Sequence, residues 1–178
     1  MFENPLAQAL GIFAFVVSAL SVWQRNENSL RVYMATSALL WAVHHFAMAS
    51  YTATIMFIVI AFRCYLSALL LQQPFSVRLV VAFIFFGFNA LGAYVTWDGY
   101  ITIFAFAAAN TATIAVLLTV GLWTRLLLIT VELLWLVYNV NIGSVGGVLA
   151  CLTDGGILIY VLFSEFVIKK RKTLSKAC

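Results

Sequence analysis

A chain of 178 residues that is 65% hydrophobic and only 9% charged, with a mean hydropathy of +1.07, has too little polar surface for a water-soluble domain of its size. That composition excludes a soluble enzyme and leaves no length for a domain outside the membrane. Its net charge of +4 reports membrane topology rather than nucleic-acid binding, because the cations lie in particular loops.

A bilayer-spanning helix needs about 20 apolar residues, and runs of that kind occur at Leu6–Trp23, Leu30–Met48, Tyr51–Leu71, Phe75–Val95, Tyr100–Val120, Leu122–Val140 and Ile142–Phe163. They predict seven transmembrane helices. Hydrophobicity is continuous within each run rather than alternating, which argues against a β-barrel. The first run follows MFENP with no cationic leader, so it is expected to be an uncleaved span rather than a signal peptide. Arg25 and Arg31 flank the first loop, Arg78 the third and Arg125 the fifth, while Lys169, Lys170, Arg171, Lys172 and Lys176 crowd the C-terminal end. The second, fourth and sixth loops carry no Lys or Arg. The positive-inside rule then puts the N-terminus outside and the C-terminus in the cytoplasm. Cys64, Cys151 and Cys178 have no metal-ligand spacing and read as small hydrophobes or a tail residue.

Shifted by 94 residues, Arg31–Ser50 overlays Arg125–Ser144 with seven of twenty positions identical, among them Arg31/Arg125, Thr36/Thr130, Trp41/Trp135 and Ser50/Ser144. The shift carries the second span onto the sixth and, by order, the first onto the fifth and the third onto the seventh. Four spans separate equivalent helices, so the two three-helix units are expected to be parallel repeats about an axis along the membrane normal. The expected organisation is a first bundle over 1–72, a linker helix over 73–97, a second bundle over 98–168 and a basic cytoplasmic tail over 169–178.

This all-α arrangement of two parallel three-helix repeats joined by a linker helix resembles the SWEET and PQ-loop topology. The small all-membrane chain, the stretch LLWAVHHF at 39–46 and the Arg63 span resemble the YgjV-type bacterial inner membrane protein family over nearly the whole length. That resemblance implies a bacterial inner membrane location and no settled activity. SWEET proteins hinge at prolines inside their helices, whereas Pro5 and Pro74 stand at span ends here and no PQ dipeptide occurs. Any bending would fall to glycines such as Gly11, Gly87, Gly92, Gly121 and the group Gly143, Gly146, Gly147, Gly155 and Gly156, for which close helix packing is the plainer use.

Three ionisable groups fall inside spans: Arg63, Glu132 and Asp154. Each costs on the order of 3 kcal/mol to insert and needs a partner or a wet cavity. By helical rise, Glu132 lies roughly 15 Å from the cytoplasmic side, and Arg63 and Asp154 roughly 18 Å from the outer side. Two readings stay open: Arg63 pairs with one or both acids and locks the bundle, or the three groups form a central solute or proton site. One arginine against two acids leaves an excess of one negative charge unless an acid is protonated or a cation is bound. Glu132, Trp135 and Asn139 share one helical face, and the shift maps them onto Ala38, Trp41 and His45. The two tryptophans are expected to face each other across the repeat axis, either holding a small flat solute or filling the interior. His45 is read as a pore-facing donor or as a histidine satisfied by neighbouring helices, and His44 as structural. Adjacent histidines cannot hold a haem between them, and no carboxylate or cysteine completes a metal site.

The candidate substrate-binding set is therefore Trp41, His45, Arg63, Glu132, Trp135, Asn139 and Asp154, with no catalytic motif, no metal and no cofactor. The expected function is a small-solute transporter or facilitator and not an enzyme; a membrane binding, sensing or assembly protein is the alternative. The expected partners are the lipid bilayer and a small-molecule solute of undefined identity, with homo-oligomerisation left open.

Overall fold

The computed structural model describes the backbone of residues 5–177 and the side chains of residues 7 and 9–164. Among these, every regular element is helical: α1 (Pro5–Trp23), α2 (Glu27–Ala47), α3 (Tyr51–Leu69), α4 (Phe75–Val95), α5 (Ile101–Thr113) continued by a π-helical turn (Ile114–Leu118), α6 (Leu122–Asn141) and α7 (Val145–Ala177). By length and hydropathy, α3, α4, α5 with its π turn, α6 and the Val145–Ser164 part of α7 qualify as membrane spans, and α1 offers the shorter apolar stretch Ala9–Trp23. Composition thus qualifies five of the seven helices. The reason is visible in α2, where Arg31, Ser37, His44 and His45 lower the hydropathy yet are buried inside the bundle. The last helix runs on to Ala177, past the expected end at Phe163; the side chains of the basic run 169–178 lie outside the described residues.

α2 packs between α1 and α3, and α6 between α5 and α7. These two groups meet where α1 touches α7 and α3 touches α5, while α4 lies against α3, α5 and the π turn. Local chemistry sets the helix starts. Asn26 caps α2 by accepting from the Asn28 and Ser29 backbone N–H groups at 2.9 and 3.0 Å, which satisfies donors that a first turn leaves open. Pro74 precedes α4, where a missing N–H costs nothing.

The α2–α3 and α6–α7 turns match atom for atom at the 94-residue offset. Met48 N and Ile142 N donate to His44 O and Tyr138 O, Ala49 N and Gly143 N to Phe46 O and Val140 O, and Ser50 N and Ser144 N to His45 O and Asn139 O. Both turns pass through a left-handed residue, Gly143 at φ 71° and Ala49 at φ 55°, the conformation that ends many helices. Side chains extend the match across the molecule. Ser50 Oγ shares a hydrogen bond with Tyr138 Oη at 3.0 Å, and its counterpart Ser144 Oγ lies 3.4 Å from Nε2 of His44, the counterpart of Tyr138.

At the opposite ends of the helices, arginines close open carbonyls. Arg31, fully buried, donates from Nε to Val116 O at 3.1 Å and from Nη2 to Thr119 O at 3.3 Å. Its Nη1 is held by the Glu27 carboxylate at 2.6 Å. Glu27 in turn accepts from Gly121 N at 3.1 Å, at a φ of 64° and ψ of −128° that suits glycine. The equivalent Arg125 donates from Nη2 to Gln24 O at 2.9 Å, just past the end of α1. Arg78 reaches Leu117 O at 3.2 Å. A π turn that breaks off at Leu118 leaves several carbonyls bare, and cations at a helix C-terminus also complement its dipole.

Arg31→Ala is expected to lower the unfolding midpoint of the detergent-purified protein by the equivalent of about 2–3 kcal/mol, the scale of a lost charge-assisted hydrogen bond. Arg31→Lys should recover only part of it, since an ammonium cannot reproduce the fork. A wild-type midpoint in both variants would show that the cap is dispensable.

Candidate functional site

The interior of the bundle holds a cavity of about 80 Å³. All seven candidate residues line it: Trp41 and His45 from α2, Arg63 from α3, Glu132, Trp135 and Asn139 from α6, and Asp154 from α7. Helix α1 adds Ser18 and Ser21, and α5 adds Ala112; among the described residues α4 contributes none. The lining is itself paired at the 94-residue offset: Ser18 with Ala112, Met34 with Leu128, Ser37 with Val131, Ala38 with Glu132, Trp41 with Trp135, His45 with Asn139, Phe57 with Cys151, and Ile60 with Asp154.

The aromatic arrangement differs from two facing tryptophans. Phe57 stacks on Trp135 with centroids 4.6 Å apart, on Trp41 at 6.3 Å and on His45 at 5.2 Å. A phenyl ring from α3 thus links the two indoles. Sequence comparison of the halves overlooked it because its counterpart is Cys151, which carries no shared identity. Its three-residue spacing from Ile60 and Arg63, both also on the cavity, is the signal that could have found it.

Arg63 does not meet either acid. It is fully buried, and its Nη1 donates to Ala109 O and to Thr113 Oγ1, each at 2.8 Å. The reason is topological: α3 packs on α5, whereas α7 packs on α1 and α6. Asp154 accordingly accepts a hydrogen bond from Ser18 Oγ of α1. Glu132 lies beside it, with the Cys151 thiol as a hydrogen-bond neighbour. Glu132 sits at mid-helix on the cavity lining and is half-buried as a residue. No ion pair joins Arg63 to Glu132 or Asp154 among the described residues.

The two histidines part company. His44 donates from Nδ1 to Ala7 O at 2.9 Å, which leaves Nε2 to accept from Ser144, so it ties α2 to α1 and to the start of α7. A Cβ on Gly11 would stand 2.9 Å from its ring, and the absence of one lets α1 close on α2. His45 is equally buried, but neither of its ring nitrogens has a hydrogen-bond partner. Asn139 Oδ1 and Asp154 Oδ1 are likewise buried without a partner. Asn139 Nδ2 reaches only Cys151 Sγ at 3.6 Å. Buried polar atoms are usually satisfied, and several that line this cavity have no partner within the protein. No group of three or more His, Cys, Asp or Glu among the described residues could hold a metal ion.

Compared with known proteins, the chain matches the bacterial inner membrane protein family Imp-YgjV over residues 5–169. No curated protein and no solved structure matches it.

Gly147 faces Asn139 so closely that a Cβ there would stand 2.2 Å from Oδ1. Gly147→Ala is expected to cost about 1–3 kcal/mol of stability, and adding Asn139→Ala should restore most of it. Gly156, with nothing near its Cβ position, supplies the control: Gly156→Ala should be neutral or slightly stabilising. Equal loss in the single and double variants would refute the packing account.

Proposed function

We propose, from the premise that this chain belongs to the Imp-YgjV family of bacterial inner membrane proteins, that it is a small-solute transporter or facilitator. In this reading all seven helices cross the membrane as two parallel three-helix repeats joined by α4, in the SWEET-like manner, and the solute binds between the repeats. One observation carries it: polar and aromatic groups from both halves converge on a single mid-bundle cavity, and several of them have no partner within the protein. A membrane protein whose interior served only for packing would gain stability from apolar side chains at those positions. The locking alternative is weakened because Arg63 bonds to α5 rather than to the acids.

The ends of the cavity support a path. Toward the ends of the helices that carry Arg25, Arg31 and Arg125, its lining reaches Ser21, Val22, Met34 and Leu128, within two turns of the helix termini. Toward the other side stand the Ser50–Tyr138 and His44–Ser144 contacts between repeats. Beyond them lies a second, separate depression lined by Thr52, Trp97, Asp98 and Tyr138. A transporter closed on one face and approached from the other has this form, with the closing contacts made by hydroxyls that can exchange partners with water. Positive loops place the closed face outside and both the approach and the C-terminus in the cytoplasm.

In proteoliposomes, the wild-type chain should move at least one small solute, and Glu132→Gln or Asp154→Asn should lower its initial rate about tenfold or more while leaving the folded yield intact. Failure to move solutes of any charge class would sink the reading. A fluorescent protein fused at the C-terminus should fold and fluoresce on the cytoplasmic side; fluorescence only from an N-terminal fusion would reverse the topology.

A further inference from the structure

The cavity's charges are not equally buried. Among its ionisable residues Glu132 is half-buried, whereas Arg63 is fully buried and Asp154 is 2% exposed. Arg63 is directed to the α5 backbone and to Thr113, and its remaining nitrogens, although unpartnered, are buried. Asp154 stands next to Glu132 and presents an unpartnered Oδ1; Asn139 adds an unpartnered Oδ1. A neutral imidazole at His45 supplies one more acceptor. Beside these groups runs the stack of Trp41, Phe57 and Trp135. The cavity thus holds two carboxyls against one guanidinium, with unpartnered acceptors on Asp154, Asn139 and His45, unpartnered donors on Arg63, and aromatic, aliphatic and serine side chains over the rest of its lining.

We infer that the solute is a small organic cation rich in hydrogen-bond donors, of the guanidinium or primary ammonium class. This rests on the reading of the cavity as a solute site. Such a cation satisfies the acceptors of Glu132, Asp154 and Asn139 with charge-assisted hydrogen bonds, while its other face lies on the rings as a cation–π contact. A planar guanidinium suits both sets of groups, since it stacks on aromatic faces and presents a fork to carboxylates. Two carboxyls stand against the single guanidinium of Arg63, so a cation balances the set and an anion does not.

Guanidinium, urea and nitrate share a flat four-atom frame and differ in charge, which makes them the test set. By calorimetry on the purified full-length protein, guanidinium should bind at least about tenfold more tightly than urea or nitrate. Glu132→Gln should remove that preference and Glu132→Asp should retain it. If Glu132→Gln does not fold, Asp154→Asn, which removes a carboxyl and keeps an acceptor oxygen, should weaken guanidinium several-fold and affect urea less. Equal or tighter binding of urea or nitrate overturns the cation class. Flux in proteoliposomes separates this from the transport reading. Guanidinium that binds with the stated preference but never crosses keeps the ligand class and rejects transport. Another solute that crosses while guanidinium neither binds nor crosses keeps transport and rejects the ligand class. If nothing binds and nothing crosses, both fall.

Discussion

In hydrocarbon, the end of a helix is the part of the chain that cannot satisfy its own backbone, because four carbonyls have no partner further along and water is scarce. The molecule answers this with arginines. Arg31 of the first half holds the carbonyls of Val116 and Thr119 in the second, and Arg125 of the second half holds Gln24 O in the first. Each group thereby anchors one half's second helix to the other half's first. Serine and aromatic or imidazole side chains repeat the exchange at the opposite ends of the helices, through Ser50 with Tyr138 and Ser144 with His44. With the helices tied across the halves at both ends, their middles need not collapse onto one another, and the cavity lies between them.

The helices were largely legible because membrane helices are bounded by changes in composition. The starts at Tyr51, Phe75 and Leu122 and the end at Val95 coincide with the edges of the apolar runs. The π turn at Ile114–Leu118 was not legible, since its residues are apolar like most of the run Tyr100–Val120 and it differs only in which carbonyl each N–H selects. Placement of Trp41, Trp135, His45 and Asn139 around one space followed from the 94-residue repeat, which relates positions by symmetry without needing coordinates. The partners of Arg63 escaped because Ala109 offers a backbone carbonyl, a group every residue has. Ser18 escaped for another reason: a serine in an apolar helix commonly bonds its own preceding turn, and nothing in its neighbours distinguishes one that reaches Asp154 on a distant helix.

The frame is nearly symmetric, and its chemistry is not. At the eight lining pairs related by the offset, the tryptophans are conserved between halves, whereas Ala38 faces Glu132 and Ile60 faces Asp154. Both acids therefore belong to the second half, on α6 and α7, and the first half contributes Trp41, His45 and Phe57. The aromatic part of the lining is shared between the halves, because Phe57 of α3 stacks on Trp41 of α2 and on Trp135 of α6, whereas the two carboxyls come from α6 and α7 alone, so the asymmetry of the cavity lies in its acids and not in its rings.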